Sequence, residues 1–330
     1  ARLKLLLSDP EFSREPIRDK EAYRLRVLHW LQHLADQGYG ALGFPEAYGG
    51  EGDISKYAAV FETLGMFDLS LAVKFGVQFG LFGGSVQELG TEMHHRTYLP
   101  VIGKGKLLGC FAMTETNHGS NVRDLETTAT YLPDEDMILV HTPHLKAGKE
   151  YIGNALHAEL ATVFAQLIVG GQHHGVHAVL VPIRDGDGNL LPGIRVEDNG
   201  YKMGLNGVDN GKIWFDHVKV PRSNLLNRFG SISAEGMYES PIAQSGKRFF
   251  TMLGTLVAGR ICVAKGALAA SEVALTIAVK YALRRRQFGP DQEEKEMLIM
   301  DYPTHQRRLM PRIARAYALD LALEYLLERY

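Results

Sequence analysis

Hydrophobic residues recur at helical spacing over the first hundred positions, give way to short runs bounded by turns in the middle, and return to helical spacing towards the end. Within 21–36, Leu25, Leu28, Leu31 and Leu34 recur every third residue and Gly38 follows, which predicts a helix and its stop. Residues 54–66 predict another, with Tyr57, Phe61 and Leu64 on one face. The apolar stretch 69–89 holds Phe75, Phe79, Leu81 and Phe82, suited to core packing or to lining a tunnel. From 107 to about 225 the texture is that of strands: 107–113, 125–131, 137–142, 160–170, 175–183, and a single mixed-polarity strand over 210–221. Past a polar, glycine-containing segment, Phe250, Leu253, Val257, Ile261, Ala264 and Leu268 fall at spacings of three and four, and the pattern runs on through Ala282. A last helix is expected from about Glu294 to the end.

These patterns predict an α+β multidomain chain. Its parts are an N-terminal helical domain over 1–106, a middle β-barrel or sandwich domain over 107–225, a linker over 226–246 and a partial C-terminal helical bundle over 247–330. Two long antiparallel helices make only half a bundle, so their apolar faces call for further sequence or another subunit. The chain starts without methionine and its last helical pattern stops without a capping glycine, as though cut from a longer one.

Composition narrows the function. Thirty-six basic residues stand against 38 acidic ones, a net charge of −2, which leaves no electrostatic footprint for nucleic acid. No apolar run is expected to reach the roughly 18 uncharged residues that span a bilayer, and 253–270 is broken by Arg260 and Lys265. Cys110 and Cys262 sit in apolar surroundings and read as buried free thiols of a reducing, intracellular compartment, although a disulfide stays open. His173, His174 and His177 lack a nearby carboxylate or cysteine, and strand alternation sends His174 and His177 to opposite faces, so no metal site is assigned. Neither a phosphate-binding P-loop nor a dinucleotide glycine fingerprint is present.

Between the first two predicted strands lies Thr114-Glu115-Thr116-Asn117-His118-Gly119-Ser120-Asn121, polar throughout except for one glycine. Short hydroxyl and amide side chains beside a glycine suit hydrogen bonding to a heterocycle edge or a phosphate, and equally a solvated turn. Continued through Leu125-Glu126-Thr127-Thr128-Ala129, this run resembles the flavin-contacting loop of acyl-CoA oxidases, in the acyl-CoA dehydrogenase superfamily. Thr116, His118 and Asn121 stand where the dehydrogenase branch more often has proline, alanine and aspartate, so the oxidase-like form fits better.

What the resemblance implies is specific. FAD is the expected cofactor, with Thr114 on the isoalloxazine and Ser120 on flavin or the CoA portion of the substrate. Lys149-Glu150-Tyr151-Ile152-Gly153-Asn154 is similar to the family segment against the flavin, which gives Tyr151 the place of a ring-packing aromatic, though tyrosine departs from the usual tryptophan, and Gly153 that of a backbone contact. Tyr281-Ala282-x-x-Arg285-x-x-Phe288-Gly289 resembles the element whose arginine meets the FAD pyrophosphate, often of a neighbouring subunit, with phenylalanine beside the adenosine. By itself the arginine run also fits a solvated helix end. Pro303 replaces a glutamine expected further on, which bears on the adenine side.

The implied chemistry is α,β-dehydrogenation of fatty acyl-CoA to trans-2-enoyl-CoA in β-oxidation, with electrons passing to O2 or to an electron-transfer flavoprotein. A homodimer or homotetramer is implied as well, cytoplasmic in a bacterium and peroxisomal in a eukaryote. The proton-abstracting glutamate of the family follows a Gly-Gly-x-Gly-Tyr stretch that these residues do not contain, and 251–261 holds no Asp or Glu, so the base is expected beyond Tyr330. A non-catalytic acyl-CoA- or FAD-binding subunit is the other reading.

Overall fold

Asp19, Asp53 and Asp68 each accept a backbone amide three residues on, from Ala22 (2.8 Å), Lys56 (2.9 Å) and Leu71 (2.9 Å). Such caps satisfy donors that a first helical turn leaves open. In the computed structural model, which describes residues 2–289 and 295–330, they start α2 (Lys20–Asp36), α3 (Ile54–Phe67) and α4 (Leu69–Phe75), after a short α1 (Arg2–Leu6). Gly76–Gly83 continues α4 as a π-helical stretch into α5 (Gly84–Leu89), and α6 (Glu92–Gly103) completes the helical unit. In α2 the buried face is Val27, Trp30, Leu31 and Leu34, whereas Leu25 is 59% exposed. At about 100° per residue a strict repeat of three drifts, and Leu25 and Leu34 end on opposite sides of the helix.

The strands are β1 (Gly109–Ala112), β2 (Thr128–Leu132), β3 (Met137–His141), β4 (Lys149–Ile152), β5 (Leu160–Val169), β6 (Gln172–Pro182), β7 (Ile194–Asp198), β8 (Gly211–Phe215), β9 (Val218–Pro221), β10 (Ser231–Ile232) and β11 (Tyr238–Glu239). The polar loop does not join a hairpin: β1 and β2 both lie parallel to β5, β1 along its first half and β2 along its second. β6 covers the other edge of β5, and β3 and β9 extend the sheet beyond β2. A second sheet has the order β4-β8-β7, and β10 pairs with β11. Both larger sheets share one core, including Ile138, Val163, Leu167, Ile213 and Phe215. Residues 210–221 are two strands rather than one, because His217 takes a left-handed conformation (φ 53°) after Asp216 and sends β8 and β9 to different sheets.

His174 and His177 also depart from simple alternation. Gly175 (φ 80°) lies where the β5–β6 register shifts, and both rings reach Tyr238: His174 stacks on it at 3.8 Å and His177 Nε2 lies 3.0 Å from its hydroxyl.

The C-terminal helices are α7 (Ser245–Leu253), α8 (Val257–Ala282) and α9 (Pro303–Arg329), with a 3-10 turn at Gly254–Leu256. The helix expected from about Glu294 begins at Pro303, and Glu294 itself lies outside the described residues. α8 crosses α3 where two glycines meet: a Cβ on Gly65 would come within 2.7 Å of the Gly266 carbonyl oxygen. Beside this crossing Lys265 is buried and pairs with Glu62 (3.1 Å) and Glu324. Away from it Ile277, Tyr281, Tyr317 and Leu321 remain exposed, and an open apolar groove of about 690 Å³ runs between α8 and α9.

By length and composition alone Leu69–Leu89 and Ser245–Ala282 could cross a bilayer, with mean hydropathy 1.3 and 1.6, contrary to the expectation that no run approaches that limit. The first is mostly buried as the core helix of the N-terminal unit, and the second carries the ion-paired Lys265. Cys110 and Cys262 are buried free thiols, which burial pushes up to about 12 and about 11.

Two outcomes follow. Gly65→Ala should lower unfolding free energy by about 1–3 kcal/mol in urea titration, because overpacking at a backbone contact outweighs the better helix propensity of alanine. Burial holds His177 neutral by pushing its pKa from the usual 6.5 to about 4. A depressed folded-state pKa means stability present above pH 6.5 and lost as pH falls towards 4. Between pH 7 and 4.5 the wild type should therefore lose about 2–3 kcal/mol more than His177→Gln.

Candidate functional site

The polar loop is zipped onto the start of β4. Glu150 donates its amide to the Thr114 carbonyl (3.0 Å), the Thr114 hydroxyl donates back to the Glu150 carbonyl, and Thr116 donates its amide to Gly148 O (3.1 Å). Beneath this zip lies a buried ion pair. Glu115 Oε1 receives Lys149 Nζ (2.8 Å) together with the Thr127 amide (2.9 Å) and hydroxyl (2.7 Å), and Oε2 receives the Glu126 amide (2.7 Å). Lys149 spends its other protons on the carbonyls of Met113 (3.1 Å) and Phe164 (2.7 Å). Burial pushes the Lys149 ammonium down to about 8 against the pull of Glu115. Burial by itself raises the Glu115 carboxyl, but the Lys149 charge and the donors around it win and leave it lowered.

Glu150, also buried, faces the other way. It accepts from Thr116 Oγ1 (2.6 Å), Lys212 Nζ (2.9 Å) and Asn199 Nδ2 (3.2 Å), which together outweigh burial and lower its pKa. Tyr151 follows it, 71% exposed. On the loop, the backbone amides of Gly119, Ser120, Asn121 and Val122 donate to no group among the described residues. Open backbone donors can take an anion or the edge of a heterocycle, and an exposed aromatic residue can pack on a flat ring.

A second buried ion pair lies just past β4. Lys74 on α4 meets Asp209 (2.6 Å), Asn154 Oδ1 (2.8 Å) and His157 Nδ1 (3.2 Å), while Asp209 Oδ2 accepts the amides of Leu156 and His157 (both 3.1 Å). Burial lowers Lys74; for Asp209 burial acts upward, and Lys74 overturns it. Asn154 donates to Gly109 O (2.8 Å), whose own amide donates to Gln78 (2.9 Å). Helical unit and sheet are thereby stitched together around 149–157.

The residues singled out in the sequence fall into two groups. Thr114 and Ser120 belong to the zipped loop, Tyr151 to β4, and Gly153 to the turn directly after it. Gly153 is closed on one side: a Cβ there would lie 2.9 Å from Val77, so its small size serves the approach of the π-helical stretch. Arg285 and Phe288 lie past the end of α8, and no hydrogen bond or ion pair joins either to the loop. Phe288 is 73% exposed in a left-handed conformation (φ 55°), and its carbonyl accepts from Met297 N (2.6 Å). The sequence reading gave no role to Glu115, Lys149, Lys74 or Asp209, although Lys74 is the one lysine or arginine within 69–89. Glu115, His118 and Glu126 are close enough to share a metal ion, but Glu115 is committed to Lys149; His141, Asp216 and His217 form another such group elsewhere.

A helical unit, two sheets around one core and a long helix crossing back over the first unit, with a hydroxyl-rich loop laid on an aromatic-bearing strand, define an acyl-CoA dehydrogenase-like protein. The chain belongs to the acyl-CoA oxidase/dehydrogenase family: models of the acyl-CoA dehydrogenase N-terminal domain, its middle domain and the acyl-CoA oxidase C-alpha1 domain match residues 12–106, 110–218 and 253–330. It is 47% identical over 286 residues to the peroxisomal acyl-coenzyme A oxidase 2 of Arabidopsis thaliana, a match covering 84% of this chain and 41% of that one. The crystal structure of acyl-CoA oxidase 1 from Yarrowia lipolytica is similar at TM-score 0.83 and 35% identity, over 93% of this chain and 43% of that one. Acyl-CoA oxidase-1 of Caenorhabditis elegans, complexed with FAD and ATP, gives 0.68 at 28%, over 94% and 48%. The chain spans under half the length of these relatives.

Lys149→Met should cost about 3–5 kcal/mol in chemical unfolding, since it strands the Glu115 carboxylate in the interior. Adding Glu115→Gln should restore part of the loss.

Proposed function

We propose that the chain carries flavin- and substrate-binding parts of an acyl-CoA oxidase, which converts fatty acyl-CoA to trans-2-enoyl-CoA in β-oxidation and passes electrons to O2 to give H2O2. In a eukaryotic source its place is the peroxisome. The observation that carries this reading is the zip of Thr114 against Glu150, which holds a loop with open backbone amides on the strand that carries the exposed Tyr151. That donor set fits a flavin. The Thr114 proton is committed to the Glu150 carbonyl, so Thr114 offers lone pairs to an N–H on a ring edge. Ser120 and the amides around it supply donors, Tyr151 an aromatic face and Gly153 a backbone contact. When bound, FAD takes the β-hydride of the thioester.

The remaining assignments belong to the same proposal. The apolar tail occupies a cavity of about 300 Å³ between α3, the π-helical stretch and the start of α8, lined in part by Phe44, Tyr57 and Phe79. Arg285 and Phe288 serve FAD held by a neighbouring subunit of a homodimer or homotetramer, in keeping with the lack of any hydrogen bond or ion pair from either to the loop among the described residues. The domains are 1–106, 107–225 and 247–330 with 226–246 between them, and the α-proton is removed by a glutamate beyond Tyr330. Under the alternatives, electrons pass to an electron-transfer flavoprotein, or the chain is a binding subunit without a base.

Anaerobic mixing of the FAD-loaded full-length protein, with the sequence beyond Tyr330 included, with fatty acyl-CoA of graded length should bleach the flavin, and air should then yield peroxide without any added acceptor. Absence of bleaching at every length defeats the enzyme reading; bleaching without peroxide selects the electron-transfer alternative. Arg285→Ala should weaken FAD binding about ten-fold or more, the loss of charge-assisted bonds to an anion, and shift the melting of FAD-free protein by no more than about 0.5 kcal/mol equivalent.

A further inference from the structure

We infer that His141, Asp216 and His217 form a binding site for a divalent transition ion of the zinc class, which ties the end of β3 to the turn between β8 and β9. The inference does not depend on the acyl-CoA reading, because these residues lie outside the loop and strand that carry it. Strand pairing brings them together: Val140 stands opposite Val218, so the next positions, His141 and His217, meet across β3 and β9. Their rings stack with centroids 4.0 Å apart. The backbone beneath is tied down on both sides. The Thr142 amide donates to the Phe215 carbonyl (2.7 Å), the Phe215 amide to the Thr142 hydroxyl (3.1 Å) and the Asp216 amide to the Gly193 carbonyl (2.8 Å). His217 itself is left-handed (φ 53°) with its ring against His141. Strained backbone of this kind persists where the surroundings impose it, and it gathers at ligand clamps.

The donor set and its spacing name the ion. His141 Nδ1 is buried and meets no hydrogen-bonding partner among the described residues. Asp216 Oδ1 lies 3.8 Å from it, too far for a hydrogen bond, and the same oxygen lies 2.6 Å from His217 Nδ1. Two ligand atoms about 2.1 Å from a tetrahedral ion stand roughly 3.4 Å apart, so the His141–Asp216 gap already suits an ion and the His217 nitrogen has to draw back by about 1 Å. The two rings stand 29° from parallel, so aiming both nitrogens at one point also takes a turn of the His217 ring off the stack. The side chains of Asp216 and His217 are 81% and 62% exposed, which leaves both free to turn and opens the way to the buried nitrogen. Two imidazoles and a carboxylate are ligands of zinc and of cobalt, nickel and copper in their divalent states, whereas magnesium and calcium call for oxygen. Water completes the fourth position.

The test is calorimetric titration of the chelator-stripped full-length protein with ZnCl2, in wild type, His217→Asn and Asp216→Asn. Asparagine tolerates the left-handed conformation at 217 and both side chains are exposed, so each variant should melt with the wild type in the absence of metal. The tightest binding by the wild type should saturate at about one zinc ion per chain. Each variant should bind that ion at least about ten-fold more weakly, since loss of even a supporting partner of a metal ligand costs that much. Zinc should also raise the melting temperature of the wild type more than that of either variant. The inference is overturned if the wild type takes up no zinc, or if either variant binds it as tightly as the wild type, which would place the ion on other histidines.

Discussion

The backbone over 149–157 is held between two buried ammonium groups, and the rest of the site depends on that restraint. Lys149 at its start is neutralised by Glu115, and Lys74, reaching in from α4, is neutralised by Asp209 near its end. A charge taken out of water is tolerable only when its partner and the remaining hydrogen bonds are all in place. Here they are: Lys149 and Glu115 satisfy one another and five further backbone and hydroxyl groups. Such pairs add little net stability compared with apolar packing, but they punish every alternative arrangement of the chain. The result is a single path for β4, with Glu150 turned inward and Tyr151 outward.

The same restraint explains why the candidate site sits where helical unit and sheet meet. Helix and strand backbones press together there without room for side chains: a Cβ on Gly109 would fall 2.1 Å from the Phe82 ring, and one on Gly153 would strike Val77. Close approach draws Gln78 and Asn154 into hydrogen bonds with the strand backbone and leaves the opposite side of the π-helical stretch to line the cavity beside Tyr57. A π-helical turn widens a helix locally, in keeping with its frequent occurrence at functional positions.

The C-terminal helices are held more sparingly. α8 is anchored by the Gly65–Gly266 crossing and by Lys265 between Glu62 and Glu324, yet its far half carries exposed Ile277 and Tyr281, and Arg285 and Phe288 follow past its end. A phenylalanine that is both exposed and left-handed costs free energy in two ways, through unburied ring area and through backbone strain.

Hydrophobic period is a local property, so α2, α3, the apolar run 69–89, most strands of the middle and the polar loop were legible in short windows, whereas α6, β4 and β7 were not read from the sequence. The long loop motif carried the family, since a dozen side chains in fixed spacing constrain more than any one of them. Its hydroxyls stood out, but Glu115 within it did not, because nothing local shows that a carboxylate will be buried. Only the tertiary structure decided that, by bringing Lys149 to Glu115 across 34 positions and Lys74 to Asp209 across 135. It likewise split 210–221 between two sheets at left-handed His217, turned His174 and His177 onto one tyrosine, and left the Tyr57 hydroxyl facing Gly80. Periodicity states which face of an element is apolar; which charges meet beneath it, and which polar atom is left over, depends on contacts between elements far apart in the chain.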